Sequence, residues 1–168
     1  MTEIDATLAA LQMAMQTEID GHSFYQRCAV ATEDENARRM FARLAQDEVM
    51  HLELLRSTMA MLQEGGEWAV YQGMTWDELG GAPIFSRERV RQNLTAYTSD
   101  LSALRVAYLI EKDAVNFYTR AAAEVEQPSG RRMFSDLARM ETAHLAILEG
   151  EYGFLRDQFQ HAMGFAPF

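Results

Sequence analysis

Apolar side chains recur at steps of three and four residues along four stretches of the chain. In the first stretch Leu8, Leu11 and Met15 fall on one face of a helix, and no proline interrupts the pattern. The same period returns three more times, so the sequence predicts an all-α protein with four long helices. Their predicted bounds are Thr2 to about Val30, Thr32 to Gly65 or Gly66, Ser99 to Pro128, and Pro128 to Gly150 or Gly153.

The connections between the predicted helices differ in length. Thr32 and Glu35 have the spacing of a capping box, which predicts a short turn before the second helix. Residues 64–98 contain Pro83 and five of the ten glycines, and they are long enough to run back along a helix of ordinary length. The sequence therefore predicts an antiparallel four-helix bundle with a long crossover between its second and third helices.

The C-terminal segment 151–168 is too apolar for a free tail. It carries Phe154, Phe159, Phe165 and Phe168, which predicts that it covers one end of the bundle or meets another subunit. A chain of 168 residues buries one sizeable core, so residues 1–168 are predicted to form a single domain.

The two halves of the sequence are repeats of one another. A shift of 93 positions superimposes residues 18–55 on residues 111–148 without a gap, with identity at 17 of 38 positions. Chance would give about two matches, so the bundle is predicted to consist of two related helical hairpins, 5–63 and 99–150. Duplication of apolar core positions explains many of these identities, but it does not explain the matched Glu and His residues.

Each half contains one Glu-x-x-His sequence on the apolar face of a helix. Glu48 and His51 lie within 60° of each other around the helix, on the same face as Leu44. Glu141 and His144 repeat this arrangement in the second half. A buried and unpaired carboxylate costs several kcal/mol, so these groups need a compensating charge.

Two further carboxylates face the predicted core. Glu18 lies on the same face as Leu11 and Tyr25, and Glu111 has the equivalent position on the third helix. Four carboxylates carry a charge near −4, which two divalent cations would balance. Exposed positions or buried ion pairs are the alternative, but no Lys or Arg falls on the inner face beside either pair. The sequence therefore predicts a dinuclear metal site.

The overall charge and the cysteine content narrow the classes of partner and compartment. The chain has 25 Asp and Glu residues and 15 Lys and Arg residues, which gives a formal charge of −10. This negative charge argues against nucleic acid or an anionic membrane as a partner. Cys28 is the single cysteine, so these residues cannot build a disulfide or a four-cysteine metal site. With no basic, apolar leader at its start and no apolar run of about 20 residues, the chain is predicted to be cytoplasmic.

The order Glu, Glu-x-x-His, Glu, Glu-x-x-His resembles that of the ferritin-like di-metal proteins. Within that superfamily the chain is most similar to the rubrerythrins, through Phe24-Tyr25, Arg39-Met40-Phe41 and Leu44-Ala45 around the first motif, and through their repeats in the second half. The resemblance implies two iron ions, with manganese or zinc as alternatives. The implied metal ligands are Glu18, Glu48, His51, Glu111, Glu141 and His144.

The resemblance also implies a role for each of these side chains. Glu48 and Glu141 would bridge the two ions, and the other four would each bind one ion. Tyr25 and Tyr118 would donate hydrogen bonds to the ligands, with a plain core position as the alternative.

Three positions bear on how far the resemblance extends. Rubrerythrins carry an additional Glu one turn after the third-helix carboxylate, where this chain has Ala114 with Gly21 as its repeat mate. Redox-linked movement of an iron ion between ligands is therefore in doubt. His22 is either an additional ligand or proton shuttle, or a histidine at the core boundary.

The resemblance implies an oxidoreductase that uses peroxide or dioxygen, acting as a peroxidase or as a ferroxidase. With one cysteine in the chain, its electrons would come from a separate rubredoxin-type protein. A homodimer is the expected assembly. The alternatives are a protein that binds or sequesters iron without turnover, and a helical scaffold with a structural metal.

Overall fold

The structure, a computed structural model, describes residues 3–65 and 94–164. Within these ranges the chain forms four helices and no strand. We label them α1 (Glu3–Ala31), α2 (Glu35–Gln63), α3 (Leu94–Glu124) and α4 (Pro128–Ala162). The prediction of an all-α four-helix bundle is confirmed. Among the described helices, none combines the length and the apolar composition that a membrane span requires.

The helices pair as two hairpins, α1 with α2 and α3 with α4, and α1 also packs against α3. The turn of the first hairpin differs from the predicted capping box. Asp34, not Thr32, is the N-cap of α2, and its carboxylate accepts hydrogen bonds from the backbone N–H groups of Asn36 (2.8 Å) and Ala37 (3.0 Å). The Thr32 hydroxyl instead donates to the buried carboxylate of Asp100 on α3.

The fourth helix is longer than predicted. Its end was expected at Gly150 or Gly153, but α4 continues to Ala162, so residues 151–162 of the predicted tail are helical. The apolar face explains the extension, because Leu155 lies seven residues after Leu148 and both are fully buried. Burial of Leu155 in this extension outweighs the unfavourable helix propensity of two glycines.

Most of the predicted crossover and the end of the predicted tail lie outside the described residues. This applies to residues 66–93, and to Phe165 and Phe168. Residues 94–98, which the sequence predicts to belong to the crossover, are part of α3.

Two apolar clusters form the core, and the repeat relates one to the other. The first contains Tyr25, Phe41 and Leu104, and the second contains their repeat mates Tyr118, Phe134 and Leu11. In each cluster the tyrosine ring stacks on the phenylalanine ring, with centroids 6.3 and 6.2 Å apart and the same interplanar angle of 23°. Each cluster therefore combines side chains from both hairpins.

The order of residues along α1 shows what lies between the clusters. Leu11 belongs to the second cluster and Tyr25 to the first, and Glu18 is seven residues from each on the same face. A polar layer is therefore enclosed between two apolar layers.

Asp100 is a buried carboxyl group at some distance in sequence from this polar layer. Burial raises its pKa to about 6; the hydrogen bond from Thr32 lowers it, and the charges of Asp34 and Glu33 raise it. A raised folded-state pKa means that the native state holds this proton more tightly than the unfolded chain does. The ionised carboxylate therefore destabilises the fold at neutral pH.

We expect Asp100→Asn to stabilise the protein at neutral pH but not in mild acid. The asparagine oxygen can still accept the Thr32 hydroxyl, while the charge is removed. Wild type loses stability as the pH rises from the ordinary value of 3.8 to about 6. The variant should therefore gain on the order of 1 to 2 kcal/mol over wild type at about pH 7.5.

Urea unfolding at about pH 4.5 and pH 7.5 measures this difference, with Asp113→Asn as the control because Asp113 is an exposed aspartate on the same helix. A stability gain of Asp100→Asn that is equally large at both pH values would contradict the raised pKa of Asp100.

Candidate metal centre

The six predicted ligands meet in the polar layer between the two apolar clusters. All four helices contribute, and each of these side chains belongs to a residue that is no more than 3% exposed. We call this group the carboxylate–histidine cluster. Its members are Glu18 on α1, Glu48 and His51 on α2, Glu111 on α3, and Glu141 and His144 on α4.

The cluster divides into two sets of four residues, and in each set one ligand atom per residue lies within 4.8 Å of the others. One set contains Glu18 and His51, and the other contains Glu111 and His144. Glu48 and Glu141 occur in both sets. The shared carboxylates are those that the family resemblance implied as bridging ligands.

Both imidazoles turn the same nitrogen toward the carboxylates. The Nδ1 atom of His51 lies 3.0 Å from Glu141, 3.1 Å from Glu48 and 3.3 Å from Glu18. The Nδ1 atom of His144 lies 2.9 Å from Glu141 and 3.5 Å from Glu111. The two rings lie side by side, with centroids 5.7 Å apart and planes inclined by 19°.

Glu141 shows that this geometry suits a cation better than a hydrogen-bonded network. Both of its carboxylate oxygens are buried and form no well-directed hydrogen bond, although an imidazole nitrogen lies within about 3 Å of each. A cation needs no hydrogen in a particular direction, so it can satisfy oxygen and nitrogen lone pairs that converge on one point. Carboxylate oxygen and imidazole nitrogen are ligands that iron, manganese and zinc accept.

The pKa values of the cluster show the cost of keeping these groups together. Burial and the neighbouring charge of Glu141 raise the pKa of Glu48, and they raise the pKa of Glu111 to about 7. Burial alone would lower the pKa of His51 and of His144, but the carboxylates, Glu141 first, hold both well above the usual range. Without metal, several of these groups therefore retain protons at neutral pH.

The pKa of Glu141 is shifted in the direction opposite to those of Glu48 and Glu111. Burial favours its protonated form, but the two nearby imidazoles, His51 first, hold its pKa well below the usual range. Glu141 therefore stays ionised, and it lies in both sets of ligands.

Tyr25 and Tyr118 each donate a hydrogen bond to a carboxylate of the other half of the repeat. The hydroxyl of Tyr25 on α1 donates to Glu111 on α3, and that of Tyr118 on α3 donates to Glu18 on α1. Burial first, and then the adjacent carboxylates, raise the pKa of both hydroxyls well above the usual range. Both tyrosines therefore keep their protons beside the cluster.

Sequence reasoning missed Asp47, a buried carboxylate on α2. It lies between the cluster and Arg43, with one oxygen 3.6 Å from Nε2 of His144 and the other 3.2 Å from Nε of Arg43. The repeat could not reveal it, because its mate in the second half is Met140. The one available signal was the four-residue spacing of Arg43 and Asp47 on a helix.

Three other positions are not among the metal-ligand groups of the described residues. The Nδ1 atom of His22 hydrogen-bonds the carbonyl oxygen of Ala45 at 2.8 Å and so joins α1 to α2, as a boundary histidine would. Cys28 lies in the first apolar cluster, and burial raises the pKa of its thiol to about 11. Ala114 packs in the second apolar cluster.

The repeat mate of Ala114 has a more direct relation to the cluster. The backbone of α1 at Gly21 lies against Glu48, since a Cβ atom there would be 3.4 Å from the Glu48 carboxylate. Neither Gly21 nor Ala114 supplies an additional ligand.

Comparison with known protein families gives a match over most of the chain. The family model described as Rubrerythrin matches residues 9–152, which include both hairpins and the whole carboxylate–histidine cluster. No curated protein and no solved structure gives a significant match.

We expect the metal-free protein to be less stable at pH 8 than at pH 6. Glu48, Glu111 and both histidines have raised pKa values, so the fold holds more protons than the unfolded chain and loses stability as they dissociate. Glu141 acts in the opposite direction, but only below its ordinary value of 4.5. Glu111, with its pKa of about 7, by itself contributes a loss of about 1 kcal/mol between these pH values, and the other three groups act in the same direction.

Urea midpoints measured with a chelator, and again with saturating Co²⁺, test this expectation. Metal should remove the loss, because metal ligands bind better once they are deprotonated. A metal-free protein of equal stability at both pH values would contradict the protonated cluster.

Proposed function

Because this chain belongs to the rubrerythrin family, we propose that it is a di-iron oxidoreductase that reduces peroxide or dioxygen. The observation that carries the proposal is the sharing of Glu48 and Glu141 between two sets of ligands, each with its own histidine. Two sets with common carboxylates suit a pair of ions better than one ion. A reduced pair of iron ions supplies two electrons, the number that converts one hydrogen peroxide and two protons into two waters.

The side chains of this protein would have three roles in the reaction. The cluster holds the metals and neutralises them, because four carboxylates offset two divalent charges. The two apolar clusters limit the access of water to the layer between them. Tyr25 and Tyr118 orient Glu111 and Glu18 by hydrogen bonds whose protons stay in place at neutral pH.

Two partners complete the proposal. Electrons would come from a separate donor protein of the rubredoxin type, since one cysteine in these 168 residues cannot form a four-thiolate iron site. A homodimer is the proposed assembly. We place the protein in the cytoplasm, where a free Cys28 thiol persists.

Anaerobic loading with Fe²⁺ followed by rapid mixing with hydrogen peroxide tests the reaction. We expect two Fe²⁺ per chain and the oxidation of both by one peroxide, seen as a rise in ferric absorbance. Glu48→Ala and Glu141→Ala should abolish the loading of the pair, since each removes a carboxylate common to both sets of ligands.

Glu53→Ala is the matched control, because Glu53 is an exposed glutamate on the same helix as Glu48. A wild-type protein that loads two Fe²⁺ and leaves them unoxidised by peroxide and by dioxygen would favour sequestration over catalysis. A protein that takes up no metal would refute the proposed centre.

Tyr25→Phe separates an orienting role from a packing role. The ring and its stacking on Phe41 remain, while the hydrogen bond to Glu111 is lost. We expect unchanged Fe²⁺ stoichiometry and about 10-fold slower oxidation. Tyr108→Phe, a half-buried tyrosine on α3, is the control; equal rates in the two variants would mean that Tyr25 serves packing alone.

A further inference from the structure

Asp47 is a buried acidic side chain that the proposed reaction does not use. Its side chain is 6% exposed, and neither carboxylate oxygen accepts a hydrogen bond from a described residue. A buried carboxylate without a hydrogen bond lowers the stability of the fold unless an interaction with a nearby group offsets this cost. The closest described groups of opposite or switchable charge are Arg43 on the same helix and His144 on α4.

The two nitrogens of His144 face different carboxylates. Nδ1 points into the cluster, 2.9 Å from Glu141, and Nε2 points to Asp47. If Nδ1 binds a metal as a neutral imidazole, the ring proton must be on Nε2. That N–H then faces an acceptor-only group at 3.6 Å, and a shift of roughly 0.5 Å brings the pair to hydrogen-bond length.

Arg43 contacts the Asp47 carboxylate oxygen that is not the one facing His144. Its Nε atom lies 3.2 Å from Asp47, and its side chain is 37% exposed, so the guanidinium extends from the buried carboxylate toward solvent. The ion pair with Arg43 restricts the rotation of the Asp47 carboxylate. Arg43, Asp47 and His144 thus form a continuous series of contacts from the surface to the cluster.

The second half of the repeat lacks an equivalent of this series of contacts. The repeat mates of Arg43 and Asp47 are Asp136 and Met140, so the second half has neither the cation nor the carboxylate at these positions. Asp136 instead pairs with Arg139 on its own helix at 2.9 Å. The two ligand sets therefore differ in what surrounds them, although their six ligands repeat.

We propose that Asp47 is a positioning residue for one of the two metal positions: it fixes the ring of His144 and strengthens metal binding at the set that contains Glu111 and His144. It has no such effect on the set that contains Glu18 and His51. The inference rests on the metal centre proposed above. A carboxylate on the far nitrogen of a ligating histidine commonly accounts for 10- to 100-fold in metal affinity.

Stepwise binding of Co²⁺ to the full chain, followed by calorimetry and by visible absorption, tests the inference. Asp47→Ala should weaken one of two binding steps about 10- to 100-fold and leave the other within about twofold. Asp47→Asn keeps an acceptor oxygen without the charge and should lose less. Met140→Ala, at the repeat-equivalent position, is the matched control and should change neither step.

Two ligand variants assign the affected step. In a His51→Ala background the remaining position uses His144, so adding Asp47→Ala should weaken it and alter its Co²⁺ spectrum. In a His144→Ala background, adding Asp47→Ala should change neither the affinity nor the spectrum. Equal effects in both backgrounds, or none in either, would overturn the inference.

Urea unfolding of the metal-free variants excludes a purely structural role. A general loss of packing would lower the Co²⁺ affinity of both binding steps in proportion to the loss of stability. This result would count against a role of Asp47 in positioning His144. Should Asp47→Ala fail to fold, Asp47→Asn and Arg43→Gln supply the same comparison. Wild type that binds no Co²⁺ would overturn the metal centre itself, whereas two intact steps in every Asp47 variant would overturn this inference alone.

Discussion

The burial of four carboxylates and two imidazoles in one layer of a helical bundle is the constraint that the other features of the protein serve. Carboxylates brought out of water repel one another and lose hydration, and in the metal-free protein they respond by retaining protons. Cations remove this cost, because they supply the opposite charge and accept lone pairs from several directions. The free energy of metal binding is thereby linked to that of folding.

The apolar clusters make this polar layer possible. Tyr25 on Phe41 and Tyr118 on Phe134 form matching stacks on either side of it, and each stack ends in a hydroxyl that reaches a carboxylate. Each tyrosine therefore belongs to two environments, with its ring in the core and its oxygen at the cluster. Because each hydrogen bond joins α1 to α3, the two hairpins depend on each other at the site itself.

The internal repeat accounts for the symmetry of the carboxylate–histidine cluster, and the positions that differ between the two halves account for its asymmetry. Loss of one member of the carboxylate–histidine cluster would leave the charge of its buried neighbours without compensation. The residues around the cluster differ between the two halves. Gly21 packs against Glu48 where the second half has Ala114, and Asp47 faces His144 where the second half has Met140.

The sequence by itself determined the four helices, the repeat and the six members of the cluster. Helical periodicity shows which face of a helix a residue occupies, and Glu or His on an apolar face is unfavourable unless another group compensates it. It placed the end of α4 too early, since its glycines suggested a terminus that the burial of Leu155 overrides. Only the tertiary structure decided which groups meet across helices. The pairing of Tyr25 with Glu111, the contact of Asp47 with His144 and the hydrogen bond of Thr32 to Asp100 each join residues far apart in the chain. Periodicity describes one helix at a time, whereas these contacts depend on how helices pack together.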